Sequence, residues 1–145
     1  MFSRWFPSMS TDEGIEAGAK GGCYAGIAFG FLAVLGLVVM AFQAHSNGAT
    51  PLLIAFISTA PAFEAAIGFV AAYRFRYRKG LAIGSIALVL FLIEIVFKIT
   101  HGAFKPGWTL AYVAIVAGFV NGLRAAWATR RAPSLNDAQL EGIFD

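Results

Sequence analysis

Four ionisable side chains interrupt the long apolar runs of this chain: Glu64, Glu94, Lys98 and Arg124. The amide of Asn121 stands three residues before the last of them. A carboxylate in hydrocarbon is costly in its charged form, so an intramembrane acid either binds protons or cations, or is paired with a cation. Glu64 follows Pro61, with Ser58 and Thr59 nearby. Proline frees a backbone carbonyl and kinks a helix, which makes Glu64 a candidate proton- or cation-binding carboxylate beside a kink. The structural alternative pairs Glu64 with Asn121 or Arg124, placed at comparable depth in another segment. Glu94 and Lys98 are four apart, the spacing of a local ion pair, although Lys98 can also snorkel outward. These five side chains form the expected intramembrane polar network.

Other reactive residues carry less. His45 and His101 end two apolar segments on one side, where a pair of imidazoles can ligate haem, a pigment or a metal. Nothing near them supplies ligands at metal spacing. Cys23 is the only cysteine, so a dithiol relay within one chain is excluded. There is no phosphate-cradling glycine loop, no Gly-x-Ser-x-Gly elbow and no His-Glu-x-x-His. The expectation is a protein that is not an enzyme and has no cofactor.

The elements that must position these groups are membrane spans. The chain has 145 residues, 59% hydrophobic and only 13% charged, too apolar for a soluble domain. Four nearly uncharged stretches, 21–42, 51–72, 80–100 and 108–128, each approach the ~20 residues that cross ~30 Å of hydrocarbon. Residues 1–20 read as an interfacial segment continuing into the first helix, with a capping-box pattern at Ser10–Glu13 that starts the helix near Thr11. Residues 129–145 read as a tail with a short amphipathic helix. The link between the second and third spans holds Arg74, Arg76, Arg78 and Lys79, a candidate headgroup-binding loop. Lys and Arg are scarce in the other two links. Both termini and the basic link are therefore expected in the cytoplasm, and the Ala-, Gly- and Arg-rich usage points to a bacterial inner (plasma) membrane. The expected fold is all-α, an integral membrane bundle of four transmembrane helices.

Gly14, Gly18, Gly22, Gly26 and Gly30 recur every fourth residue. Each glycine costs a helix up to about 1 kcal/mol relative to alanine, so the row makes sense where another helix packs on bare backbone. Gly118 and Gly122 continue a similar stripe in the fourth span. Ala17, Gly21 and Ala25 add a second row beside the first, more small surface than one neighbour can cover. The five glycines resemble the glycine-zipper pattern of oligomeric channel helices and rotor-ring subunits. That resemblance covers residues 14–30 and implies packing against other transmembrane helices, of the same chain type or of a larger complex. The leading expectation is a non-catalytic subunit, a structural or assembly component of a membrane complex or homo-oligomer. The alternatives are a small oligomeric proton- or cation-coupled transporter or channel using Glu64, and a haem- or pigment-binding protein using His45 and His101.

Overall fold

Two threonines begin helices in the way their side chains allow. Thr11 Oγ1 accepts a hydrogen bond from the Gly14 amide at 3.2 Å, with Asp12 and Glu13 in the first turn complementing the helix dipole. Thr50 Oγ1 accepts from the Leu53 amide at 3.4 Å, and Pro51 takes the first helical position, where its missing amide is not needed. The computed structural model describes residues 6–102 and 106–131. It contains α1 (Asp12–Ser46), α2 (Pro51–Arg76), α3 (Leu81–Thr100) and α4 (Thr109–Arg131), the last entered through a single 3-10 turn at Pro106–Trp108. All four segments are long and apolar enough to cross a membrane, and no strand occurs among the described residues.

The helices overrun the expected spans. α1 is continuous from below the apolar run, capped by Thr11 rather than Ser10, whose hydroxyl is bonded to Ser8. α2 passes unbroken through Pro61 and carries Arg74 and Arg76 in its last turn, so half of the expected basic link is helix. At the far end, Gly48 (φ 76°) and Gly102 (φ 67°) close α1 and α3 in the left-handed conformation that ends many helices. Arg78 takes the corresponding place after α2, with φ 58°. The tail helix and Lys105 lie outside the described residues.

Packing begins with α1, which lies against α2 on one side and α4 on the other, while α3 closes the ring between them. A four-residue step advances about 40° around a helix, so the glycine row turns from one neighbour to the next as it climbs. At Gly18 the facing atoms are the Asn121 carbonyl and Ala125 Cβ. At Gly22 the Gly122 Cα would lie only 2.6 Å from an added Cβ. By Gly26 and Gly30 the neighbour is α2: the Ala72 amide nitrogen is 2.8 Å from a Cβ built at Gly26, and the Gly30 nitrogen 2.8 Å from one built at Gly68. Gly14 is covered by the Ser8 carbonyl of the segment entering α1. In the second row, Ala25 packs on Gly118 of α4, whereas Ala17 is exposed. Two neighbours from the same chain thus cover what one could not.

The centre is aromatic. Phe29, Phe75, Phe91 and Phe119, one from each helix, are the largest fully buried side chains. Their rings meet edge-on or tilted, with Phe29–Phe91 centroids 5.4 Å apart and Phe75–Phe119 6.3 Å apart. Phe75 occupies a hollow made by missing side chains: Gly22 of α1, Gly80 and Gly84 at the start of α3, and Gly122 of α4 all lie against its ring.

Those contacts set an expectation for thermal unfolding in detergent. A methyl group at Gly84 overlaps the Phe75 ring, so Gly84→Ala should destabilise by about 1–3 kcal/mol, typical of overpacking. Adding Phe75→Leu should recover part of the loss. Gly36, with nothing within 4 Å of an added Cβ, should accept alanine without loss.

Candidate functional site

The inner faces of three helices change character beyond the phenylalanine layer. On α3 the buried residues Gly84, Ala87 and Phe91 are followed, at the same helical spacing, by Glu94 and Lys98. On α4 the face that carries Phe119 and Ile115 continues to Tyr112. On α2 the buried positions Ala71, Gly68 and Ile67 lead to Glu64. The half of the bundle nearer Arg74, Arg76 and Arg131, the basic end, is filled mainly by Gly, Ala and Phe, with Asn121 as its buried polar residue. The opposite half turns acids, an amine and a phenol inward.

These groups meet. Lys98 Nζ donates to Glu94 Oε1 and, at 3.4 Å, to Tyr112 Oη. The same ammonium lies 5.4 Å from the Tyr112 ring centroid, and the Tyr112 ring stacks edge-on against Phe91 at 5.8 Å. Glu64 of α2 is near enough to feel the charges of Glu94 and Lys98, but no hydrogen bond or ion pair among the described residues joins it to them. The Glu94 and Lys98 side chains are only 23% and 31% exposed. Glu94 Oε2 is buried, and no described residue hydrogen-bonds it.

The electrostatic consequence follows from counting. Among the described residues Lys98 is paired with Glu94, so Glu64, within range of both charges, adds one negative charge in excess when both acids are ionised. An uncompensated charge away from water costs several kcal/mol. A single proton or monovalent cation restores neutrality, and Glu94 Oε2 is an inward acceptor without a donor.

Glu64 is thus grouped with Glu94 and Lys98, not with Asn121 or Arg124. Arg124 belongs to the opposite half, where its Nη1 lies 3.5 Å from Asn121 Oδ1 and its guanidinium 6.0 Å from the Phe6 ring. Counted from the helix ends, Glu64 lies twelve residues from Arg76 and Arg124 only seven from Arg131, which sets Arg124 nearer the membrane surface than Glu64. The sequence reading missed Tyr112, whose signal is its place one turn before Ile115 on the inner stripe. Arg74, Arg76 and Lys79 are exposed at the basic end. Arg78 reaches α1, where Lys20 hydrogen-bonds Glu16 at 2.7 Å. That bond and the Lys20 charge, with a smaller effect from Arg78, hold the Glu16 carboxyl below its usual value.

The histidines are not brought together. The His101 ring stacks on Phe97 at 3.9 Å and its Nδ1 is within 3.0 Å of the Phe97 carbonyl, and no hydrogen bond or ring contact joins it to His45. Among the described residues, no group of three His, Cys, Asp or Glu side chains gathers as a metal site. Family models, curated proteins and solved structures give no match to this chain.

Removing the amine alone should expose the excess charge. Lys98→Met is expected to destabilise the detergent-solubilised protein by about 3–5 kcal/mol, the cost of breaking a buried pair. The double change Lys98→Met with Glu94→Gln should recover most of that in a double-mutant cycle, and equal loss in both variants would contradict the pairing.

Proposed function

We propose that the chain is a small proton- or cation-coupled membrane transporter or channel, with Glu64 and Glu94 as its ion-binding carboxylates. The observation that carries this reading is the buried Glu94 Oε2, which no described residue hydrogen-bonds, with the Glu64 carboxylate of a second helix within range of its charge. Ionisable groups facing a bundle interior pair with one another and mark ion pathways. Lys98 and Tyr112 hold the Glu94 carboxylate in place, and Glu64 on a second helix exchanges the ion. The clustering of positive charge at one end supports that end facing the cytoplasm, with the ion site in the outer half. Residue usage supports a bacterial plasma membrane.

A second reading rests on a different observation. A crevice of about 470 Å³ between α1 and α4 is lined by Gly21, Ala25, Ala28, Ala114, Ala117 and Gly118. Such a surface suits a further transmembrane helix, which supports a role as an assembly component of a complex or a homo-oligomer. Native mass spectrometry from mild detergent separates the two: a lone monomer at endogenous level counts against the assembly role.

The transport reading is tested by imposing a membrane potential on liposomes holding the purified protein and following internal pH, or uptake of a monovalent cation. Wild type is expected to conduct above protein-free vesicles. Glu64→Gln, which keeps shape and removes charge, is expected to reduce the flux at least about tenfold, the scale of one lost charged contact. Unchanged flux in that variant, or none in wild type, would remove the reading.

A further inference from the structure

A second polar site lies at the basic end, remote from the carboxylates. A groove of about 810 Å³ opens between the start of α1, the start of α3 and the last turns of α4. Its floor is apolar, with Ile15, Leu81 and Leu123, and its α4 wall carries Arg124, Trp127 and Arg131. The two arginines are seven residues apart, so they share a helix face about 10 Å apart along the axis. Trp127 sits between them, with the Arg131 guanidinium 4.9 Å from its ring.

Among the described residues, neither arginine has a carboxylate partner. The ion pairs among the described residues are Glu16–Lys20 and Glu94–Lys98. Arg124 has one long hydrogen bond to Asn121 and the Phe6 ring, which leaves most of its five donors unused. It also lies about 10 Å of helix rise short of the α4 terminus, at a depth where an arginine must reach for a counter-charge. Asp12 is the one acid on the groove, against two guanidiniums.

We propose that this groove binds one anionic phospholipid, with its phosphate held between Arg124 and Arg131. Guanidinium forks match phosphate oxygens, and Trp127 is the residue type that settles at headgroup depth. The apolar floor at Ile15, Leu81 and Leu123 takes the start of an acyl chain. That floor selects a lipid over a free anion. The site is independent of Glu64 and of the exposed basic residues Arg74 and Arg76.

The test uses the full chain in neutral detergent with phosphatidylglycerol or phosphatidylcholine added. In native mass spectrometry, phosphatidylglycerol should be retained about tenfold better than phosphatidylcholine, because both offer the phosphate but the choline cation of the latter is repelled by the two guanidiniums. The double variant Arg124→Gln/Arg131→Gln should lose that preference, while Arg74→Gln/Arg76→Gln keeps it. A reading free of arginine variants comes from brominated lipids: the emission lost on Trp127→Phe should be quenched more strongly by brominated phosphatidylglycerol than by brominated phosphatidylcholine. Equal retention and equal quenching by the two lipids would overturn the proposal. So would displacement of the lipid by glycerol phosphate at equal concentration, which would assign the site to a soluble anion. A preference found only after removal of residues 132–145, which include Asp137, Glu141 and Asp145, would overturn it too, by giving the groove to the chain's own tail.

Discussion

α1 can touch α2 and α4 at once only because the contact positions carry no side chain. Gly22 faces Gly122 and Gly26 faces Gly68 and Ala72, with backbone atoms close enough that a methyl group would collide, while a methyl group at Gly30 would meet the Phe69 ring. Between lipid-bathed helices there is no hydrophobic gain from leaving the solvent, so association rests on close van der Waals contact and interhelical hydrogen bonds. Shape therefore does the work that burial does in a water-soluble core. Gly22 and Gly122 also make room, with Gly80 and Gly84, for the Phe75 ring, which reaches from α2 to α3 and α4. The α1–α4 contact and the aromatic layer thus share two of their missing side chains.

That arrangement divides the bundle. Near the basic end, Gly, Ala and Phe fill the interior. Beyond Phe91 the interior changes to Glu64, Glu94, Lys98 and Tyr112, held by hydrogen bonds and charge. In the proposed transport reading, the tightly packed half is the floor against which the charged groups of the other half exchange an ion. The phospholipid groove lies at the opposite end, on the outside of α4, and is built from a separate set of residues.

Much of this was legible in the residues. Hydropathy and length place all four spans, Thr11 and Thr50 start their helices, and the i, i+4 spacing of Glu94 and Lys98 yields the observed ion pair. The glycine row was legible as a packing surface, but its partners were not. Which helix covers a winding stripe depends on how the bundle closes, and here the stripe passes from α4 to α2. The company of Glu64 was also hidden. Setting it level with Arg124 passed over the place of Arg124 near its helix end: seven residues separate Arg124 from Arg131, against twelve from Glu64 to Arg76. The Phe75 hollow needs Gly22, Gly80, Gly84 and Gly122 from three parts of the chain, and no local spacing announces it.

The central claim is that the bare face of α1 is covered by helices of its own chain. Ala25 Cβ lies against Gly118, 2.8 Å from a Cβ built there, so an outward shift of roughly 1 Å brings the pair to the ~3.5–4.5 Å that a disulfide spans. Ala25→Cys with Gly118→Cys, in a Cys23→Ser background, should form a disulfide within one chain in native membranes. After proteolysis between α2 and α3, the halves should stay joined until reduced and migrate as a single monomer. A disulfide-linked dimer, or two halves that separate without reductant, would contradict the account.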